Sequence, residues 1–172
     1  MSKYSNCYDH YFREYGLEFF HEVLPWEWFK AQAIAESALD PMAMSPAGAF
    51  GVMQLMPKTE MEIAKKLGVF PSTAPHKNIR LGIAYDRRCW DIFKAEHGIE
   101  RVRFMLGAYN AGAGHIIKAQ KIAGKNSLPT DKWHSITVAL PRVTGPYATE
   151  TINYVQKVET VFAYLDAQEK KA

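Results

Sequence analysis

Glycine and proline punctuate this 172-residue sequence at intervals of roughly one helix, and that spacing constrains the fold more than any other feature. Stops at Gly16, Pro41, Gly68, Gly98, Gly112, Gly124 and Pro141 separate stretches in which apolar residues return at helical spacing. Helices are expected near residues 6–15, 25–38, 59–67, 79–96, 100–110, 114–122, 130–139 and 147–168, with room for a small hairpin over 42–57. No repeat, low-complexity tract or flexible linker divides the chain. The expectation is an all-α, single globular domain.

A chain of this length can bury enough surface for an independent core, and 48% hydrophobic with 23% charged residues is a globular balance. Disorder is expected only in the first few residues and in the tail Ala-Gln-Glu-Lys-Lys-Ala. The net charge of +3 is too small and too evenly spread to argue for nucleic acid, although it favours an anionic cell wall. Lys65-Lys66, Arg87-Arg88 and Lys170-Lys171 read as solvated faces. Cys7 and Cys89 form no metal-like spacing and no histidine pair stands at His-x-x-x-His, so neither metal nor cofactor is expected. Cys89 falls in an apolar helical run with Ile83, Trp90 and Phe93, which predicts a buried thiol. The amino terminus lacks the apolar core of a signal peptide, and no apolar stretch is long enough for a transmembrane segment. Synthesis in a cytoplasm with reduced thiols is the corresponding expectation.

Chemistry concentrates first at Glu36. Pro25 suits a first helical turn, and Trp26, Phe29, Ala33, Ile34 and Ser37 recur at helical spacing up to the break at Asp40-Pro41. Glu36 shares a face with Phe29 and Ala33. Burial and the negative end of a helix dipole would both raise its pKa, suiting it to hold a proton near neutral pH. Taken with the helix alone, a partly exposed helix-end glutamate is the simpler reading, since most glutamates are solvated. The loop that follows shifts that balance: Gly48 and Gly51 permit backbone shapes closed to other residues, and Gln54 with the surrounding amides suits a polar, uncharged ligand such as a sugar. In the plainer reading Val52, Met53, Leu55 and Met56 are core and the glycines are ordinary turns.

Two further groups stand downstream. Tyr109 and Asn110 leave an apolar helical run, Val102 to Leu106, just before Gly112 and Gly114. A tyrosine there also suits simple packing with a satisfied hydroxyl. Glu150 to Val158 opens a long amphipathic helix, in which Glu150 complements the dipole and Tyr154 can be core.

Together, in this order, these segments resemble the soluble-type ("SLT") lytic transglycosylases, a family with a goose-lysozyme-like fold that cleaves peptidoglycan glycan strands. The resemblance covers about residues 8–165. Glu36-Ser37 matches the family's Glu-Ser, Gly51-Val52-Met53-Gln54 its Gly-Leu-Met-Gln with Val in place of Leu, Ala108 to Gly112 its Ala-Tyr-Asn-Ala-Gly, and Glu150 to Val155 its Glu-Thr-x-x-Tyr-Val. The segments Trp26 to Ala33 and His115 to Ala123 look most like the membrane-bound type F branch and phage relatives.

The resemblance implies that Glu36 is the catalytic acid and then base, with no second carboxylate in the motifs. Asp40 reads as a turn residue, and Glu60 and Glu62 as dipole compensation at the start of the next helix. It implies a lysozyme-like fold, with Ser37 in catalytic support, Ser45 and Tyr154 as hydrogen-bond partners around Glu36 and the substrate acetamido group, and Met53, Gln54, Tyr109 and Asn110 lining the sugar subsites. The implied partner is the peptidoglycan glycan strand, the implied product a 1,6-anhydro-N-acetylmuramic acid end, and the expected state a monomer. Because the substrate lies outside the inner membrane, the expectation is a phage protein released onto the wall or carried in the virion. A periplasmic enzyme lacking its leader is the alternative. A hydrolytic lysozyme and an inactive glycan-binding or virion module are the competing functions.

Overall fold

The computed structural model describes residues 3–170 and is mostly helical, with α1 (Asp9–Phe20), α2 (Glu27–Ser37), α3 (Pro57–Leu67), α4 (Pro75–Ile92), α5 (Gly98–Ala111), α6 (Ala113–Lys125), α7 (Trp133–Ala139), α8 (Pro141–Thr144) and α9 (Tyr147–Glu169). The space left for a hairpin holds only two isolated antiparallel bridges, Met44 to Phe50 and Phe50 to Leu55. Contacts divide the chain into two compact units, residues 1–85 with 158–172, and residues 86–157.

In the first unit, α1 continues through Gly16 instead of stopping there. The missing side chain admits α2: a Cβ on Gly16 would lie 3.1 Å from the Phe29 ring. Phe12, Phe20 and Phe29 are fully buried, with the last two rings 5.0 Å apart. Helix α2 is not one-sided, for every residue from Glu27 to Ile34 is buried, and Trp28 stacks on Phe162 of α9 at 3.7 Å. A helix covered on all sides must satisfy its polar residues internally. Lys30, 1% exposed, does so through the carboxylate of Asp9 at 2.6 Å and the side-chain carbonyl of Asn6 at 3.0 Å. Pro57 occupies the first turn of α3, and Gly68 closes that helix at φ 67° with its N–H on the Ala64 and Lys65 carbonyls. Helix α4 begins at Pro75, earlier than the apolar pattern indicates, because His76, Lys77 and Asn78 are helical without being apolar.

In the second unit, α6 packs on α5, α7 and α8. Gly98 opens α5, and Gly124 lies in the last turn of α6, so neither terminates a helix as the sequence suggested. Gly107 is where α5 meets Trp133, since a Cβ there would stand 2.4 Å from the indole. One carboxylate oxygen of Glu100 accepts the Trp133 amide at 2.6 Å, which satisfies a free N–H at the start of α7. Cys89 is buried, Cys7 is exposed, and both are free thiols.

Helix α9 runs through Glu169, so part of the tail expected to be disordered is helical, and the Lys3 amide donates to the Tyr164 hydroxyl at 3.2 Å. The remaining positions of those expectations, Met1, Ser2, Lys171 and Ala172, lie outside the described residues. No described helix is long and apolar enough to cross a membrane.

Candidate active site

Glu36 occupies the penultimate position of α2, on the turn where that helix leaves full burial: Ile34 is 6% exposed, whereas Ala35, Glu36 and Ser37 are half-buried. The chain then turns without glycine. Ala38 and Leu39 both take positive φ, 55° and 69°, in the left-handed region that L-residues rarely occupy. Each such residue costs about 1–3 kcal/mol and persists only when its surroundings hold it. Burial of Leu39 and the bond from the Ala38 N–H to the Ile34 carbonyl, 3.0 Å, provide that hold. Asp40 accepts the Met42 amide at 2.9 Å, the turn role its sequence context indicated.

The loop is fastened back to the helix end. The Ser37 hydroxyl donates to the Val52 carbonyl at 2.8 Å, with the Ala33 carbonyl further off at 3.3 Å. Ser45, expected beside Glu36 and the acetamido group, accepts the Ala49 amide at 3.0 Å with its hydroxyl oxygen and so shapes its own turn. Gln54 sits at φ 45°, and its Nε2 donates to the Ala43 and Gly51 carbonyls, both at 3.0 Å. Both amide hydrogens are thereby used within the loop, leaving Oε1 as the group with which Gln54 can accept from a ligand. The Met53 side chain is fully buried and rests on Gly82, where a Cβ would come within 2.6 Å of it, so it supports the loop from beneath. Met56, read as core, is 43% exposed.

In the second unit, Tyr109 and Asn110 lie in the last turn of α5, and Tyr154 lies on α9. Both tyrosines are buried, at 9% and 8% exposure. Thr151 donates its hydroxyl to Asn110 Oδ1 at 2.8 Å. That bond fixes the amide orientation and leaves the Asn110 NH₂ as a donor. Asn110 lines a concavity of about 400 Å³ with Ala111, His115, Thr144, Tyr147, Glu150 and Thr151. The Ala111 carbonyl can only accept, so His115 Nδ1, 2.7 Å away, is the donor in this contact. Glu150, assigned by sequence only to the helix dipole, is therefore also a wall of this concavity.

Two residues escaped the sequence reading. Thr151 is the middle of an otherwise recognised motif, and its partner is 41 positions away. Asn78, in the first turn of α4, bonds to the backbone on either side of Val52. An asparagine inside a helix is a weak signal of that kind, because its side chain competes for backbone groups. Among the described residues, no cluster of three histidine, cysteine or acidic side chains could hold a metal ion.

Residues 21–131 match the family described as the transglycosylase SLT domain. The membrane-bound lytic murein transglycosylase F of Maricaulis maris is 33% identical over 162 residues, covering 86% of this chain and 35% of that protein. Among solved structures, the 70 kDa soluble lytic transglycosylase of Escherichia coli superposes with a TM-score of 0.73 at 26% identity, over 94% of this chain and 24% of that one. The lytic transglycosylase Slt of Pseudomonas aeruginosa, solved as an inactive glutamate-to-glutamine mutant, gives 0.75 at 27% identity over 99% of this chain and 25% of that one. The chain thus spans about a third or less of the length of these relatives. With the helical architecture and all four motif segments in place, the chain belongs to the transglycosylase SLT domain family.

Proposed function

We propose that this chain is a lytic transglycosylase that cleaves the β-1,4 bond between N-acetylmuramic acid and N-acetylglucosamine in peptidoglycan, without water. The observation that carries the reading is a half-buried Glu36 at the end of α2, next to a serine bonded into the loop that bears Gln54. Neighbouring carboxylates in the sequence have other work. Asp40 holds a turn and Glu60 accepts the Ser72 amide at 3.4 Å, which favours a site with one acid over the usual pair.

Glu36 protonates the glycosidic oxygen while the substrate's 2-acetamido oxygen attacks the anomeric carbon, releasing the N-acetylglucosamine hydroxyl and forming an oxazolinium ion. The Glu36 carboxylate then takes the proton of the muramoyl 6-hydroxyl. That oxygen attacks the same carbon, the acetamide is restored, and a 1,6-anhydro ring remains. Within the first unit Gln54 Oε1 is suited to accept from sugar polar groups, and within the second the Asn110 NH₂ is suited to donate to them, each taken by itself. An intramolecular hydroxyl held near the anomeric carbon has the large proximity advantage that lets it outcompete water.

Mass spectrometry of muropeptides from digested sacculi tests the proposal. Products should be lighter by one water than lysozyme products and should lack a reducible end. Predominantly reducing ends would instead establish the hydrolytic lysozyme, and binding without release would establish a glycan-binding module. The proposal extends to wall degradation on behalf of a phage. Co-expression with a holin should then lyse a host that the chain alone leaves intact.

A further inference from the structure

Asn78 holds the catalytic loop by a contact that the assigned motifs do not include. Its side chain is 2% exposed in the first turn of α4. Its Nδ2 donates to the Phe50 carbonyl at 3.1 Å, and its Oδ1 accepts the Met53 amide at 2.8 Å. Between those two points the backbone lies directly on the amide: a Cβ at Gly51, which has φ +80°, would stand 2.8 Å from Asn78 Cγ and Oδ1 and 2.9 Å from Nδ2. Val52, also between them, accepts the Ser37 hydroxyl at 2.8 Å. The turn from Phe50 to Met53 is therefore gripped from α4 by Asn78 and from the end of α2 by the residue that follows Glu36.

We propose that Asn78 is a positioning residue for Glu36, setting the height of the Phe50–Met53 turn and through it the Val52–Ser37 bond. This inference rests on the assignment of Glu36 as the acid. A primary amide is the side chain that presents a donor and an acceptor side by side, matching one carbonyl and one N–H of a single turn. Aspartate offers two acceptors. Its ionised form keeps the Met53 bond but turns an anionic oxygen on the Phe50 carbonyl, whereas its protonated form restores both bonds. Charged groups near Asn78 on its own helix are His76, Lys77 and Arg80, the last held by Glu18 at 2.6 Å; the turn from Phe50 to Met53 carries none, and Glu36 lies on α2 beside Ser37.

The test compares muropeptide release by wild type, N78D, N78A and E36Q across acid to mildly alkaline pH, at a temperature where circular dichroism shows each variant folded, with rates divided by folded fraction. N78D should approach the wild-type rate at the acid end and fall at least about 10-fold below it as pH rises, while N78A stays low throughout. A positioning loss of this size is modest beside a catalytic deletion. If N78D unfolds at neutral pH, its acid-side rate against that of N78A decides: a clear advantage for N78D supports the inference, and equality overturns it. N78D and N78A rates per folded molecule matching wild type at every pH also overturn it. E36Q separates the two readings, since loss of release in E36Q with unaffected Asn78 variants sinks only this inference, whereas full release by E36Q sinks the assigned acid.

Discussion

Ser37 and Val52 are joined by a hydrogen bond of 2.8 Å from side-chain hydroxyl to backbone carbonyl, fifteen positions apart in sequence. The residue after Glu36 is thus part of the loop's support, and the end of α2 cannot shift without moving the Gly51–Gln54 turn. Removing that hydroxyl in Ser37→Ala should cost about 1 kcal/mol of stability, the usual net worth of one such bond. Muropeptide release should fall roughly 10-fold, as expected when a reacting group loses fine placement. Denaturant unfolding and a release assay check both, and an unchanged release rate would remove Ser37 from the positioning role.

Glu36→Gln keeps the side-chain shape and removes the transferable proton. The variant should fold with an unchanged circular dichroism spectrum and lose about 10²–10⁴-fold in rate, the usual span for a general acid and base. Clearing of a sacculus suspension at nearly the wild-type rate would exclude Glu36 as catalyst.

The buried ammonium of Lys30 depends on Asp9. Breaking a buried pair from one side leaves an uncompensated charge, so Asp9→Ala should destabilise the protein by about 3–5 kcal/mol. Adding Lys30→Met removes the orphaned charge and should recover most of that loss. Urea unfolding of the two single variants and the double variant closes the cycle, and additive losses would contradict it.

Gly82 lies directly beneath Met53 Cβ and Cγ, each 2.6 Å from a Cβ built there. Gly82→Ala forces the fully buried methionine upward, at a cost of about 1–3 kcal/mol for an overpacked core. Thermal unfolding should show the loss, and Met53→Ala in the same chain should relieve part of it. No relief would mean that the clash is taken up by α4.

Glu27 is buried near the start of α2, and desolvation is the main reason its carboxyl is pushed above the ordinary value; Glu169 and Asp166 add to the rise, while its own backbone N–H and Arg13 oppose it. The folded state consequently keeps this proton over a pH range in which the unfolded chain has released it. Stability from this group falls as pH rises from the ordinary carboxylate range through the raised value, and its ionisation remains a cost above that. Glu27→Gln should therefore raise the melting temperature at neutral pH, with the gain shrinking as the pH drops below about 4. A gain independent of pH would assign the effect to packing.

Local chemistry marked Glu36, Ser37, the Gly51–Gln54 loop and the Tyr109–Asn110 exit as candidates, because helix periodicity, its interruption and short motifs are written in consecutive residues. The stops at Gly68 and Gly112 are legible for the same reason: a left-handed φ is a property of one residue, and both glycines have it. Gly16 and Gly82 carry the same letter for a different reason, namely the approach of Phe29 and Met53, which no neighbour in sequence announces. The burial of α2 on all sides, the withdrawal of Met53 from the surface, and the bonds of Asn78 to the loop and of Thr151 to Asn110 were likewise decided by packing. Sequence determines which groups can donate, accept or turn the chain. Which of them meet depends on residues tens of positions apart sharing one volume, and only the tertiary structure fixes that.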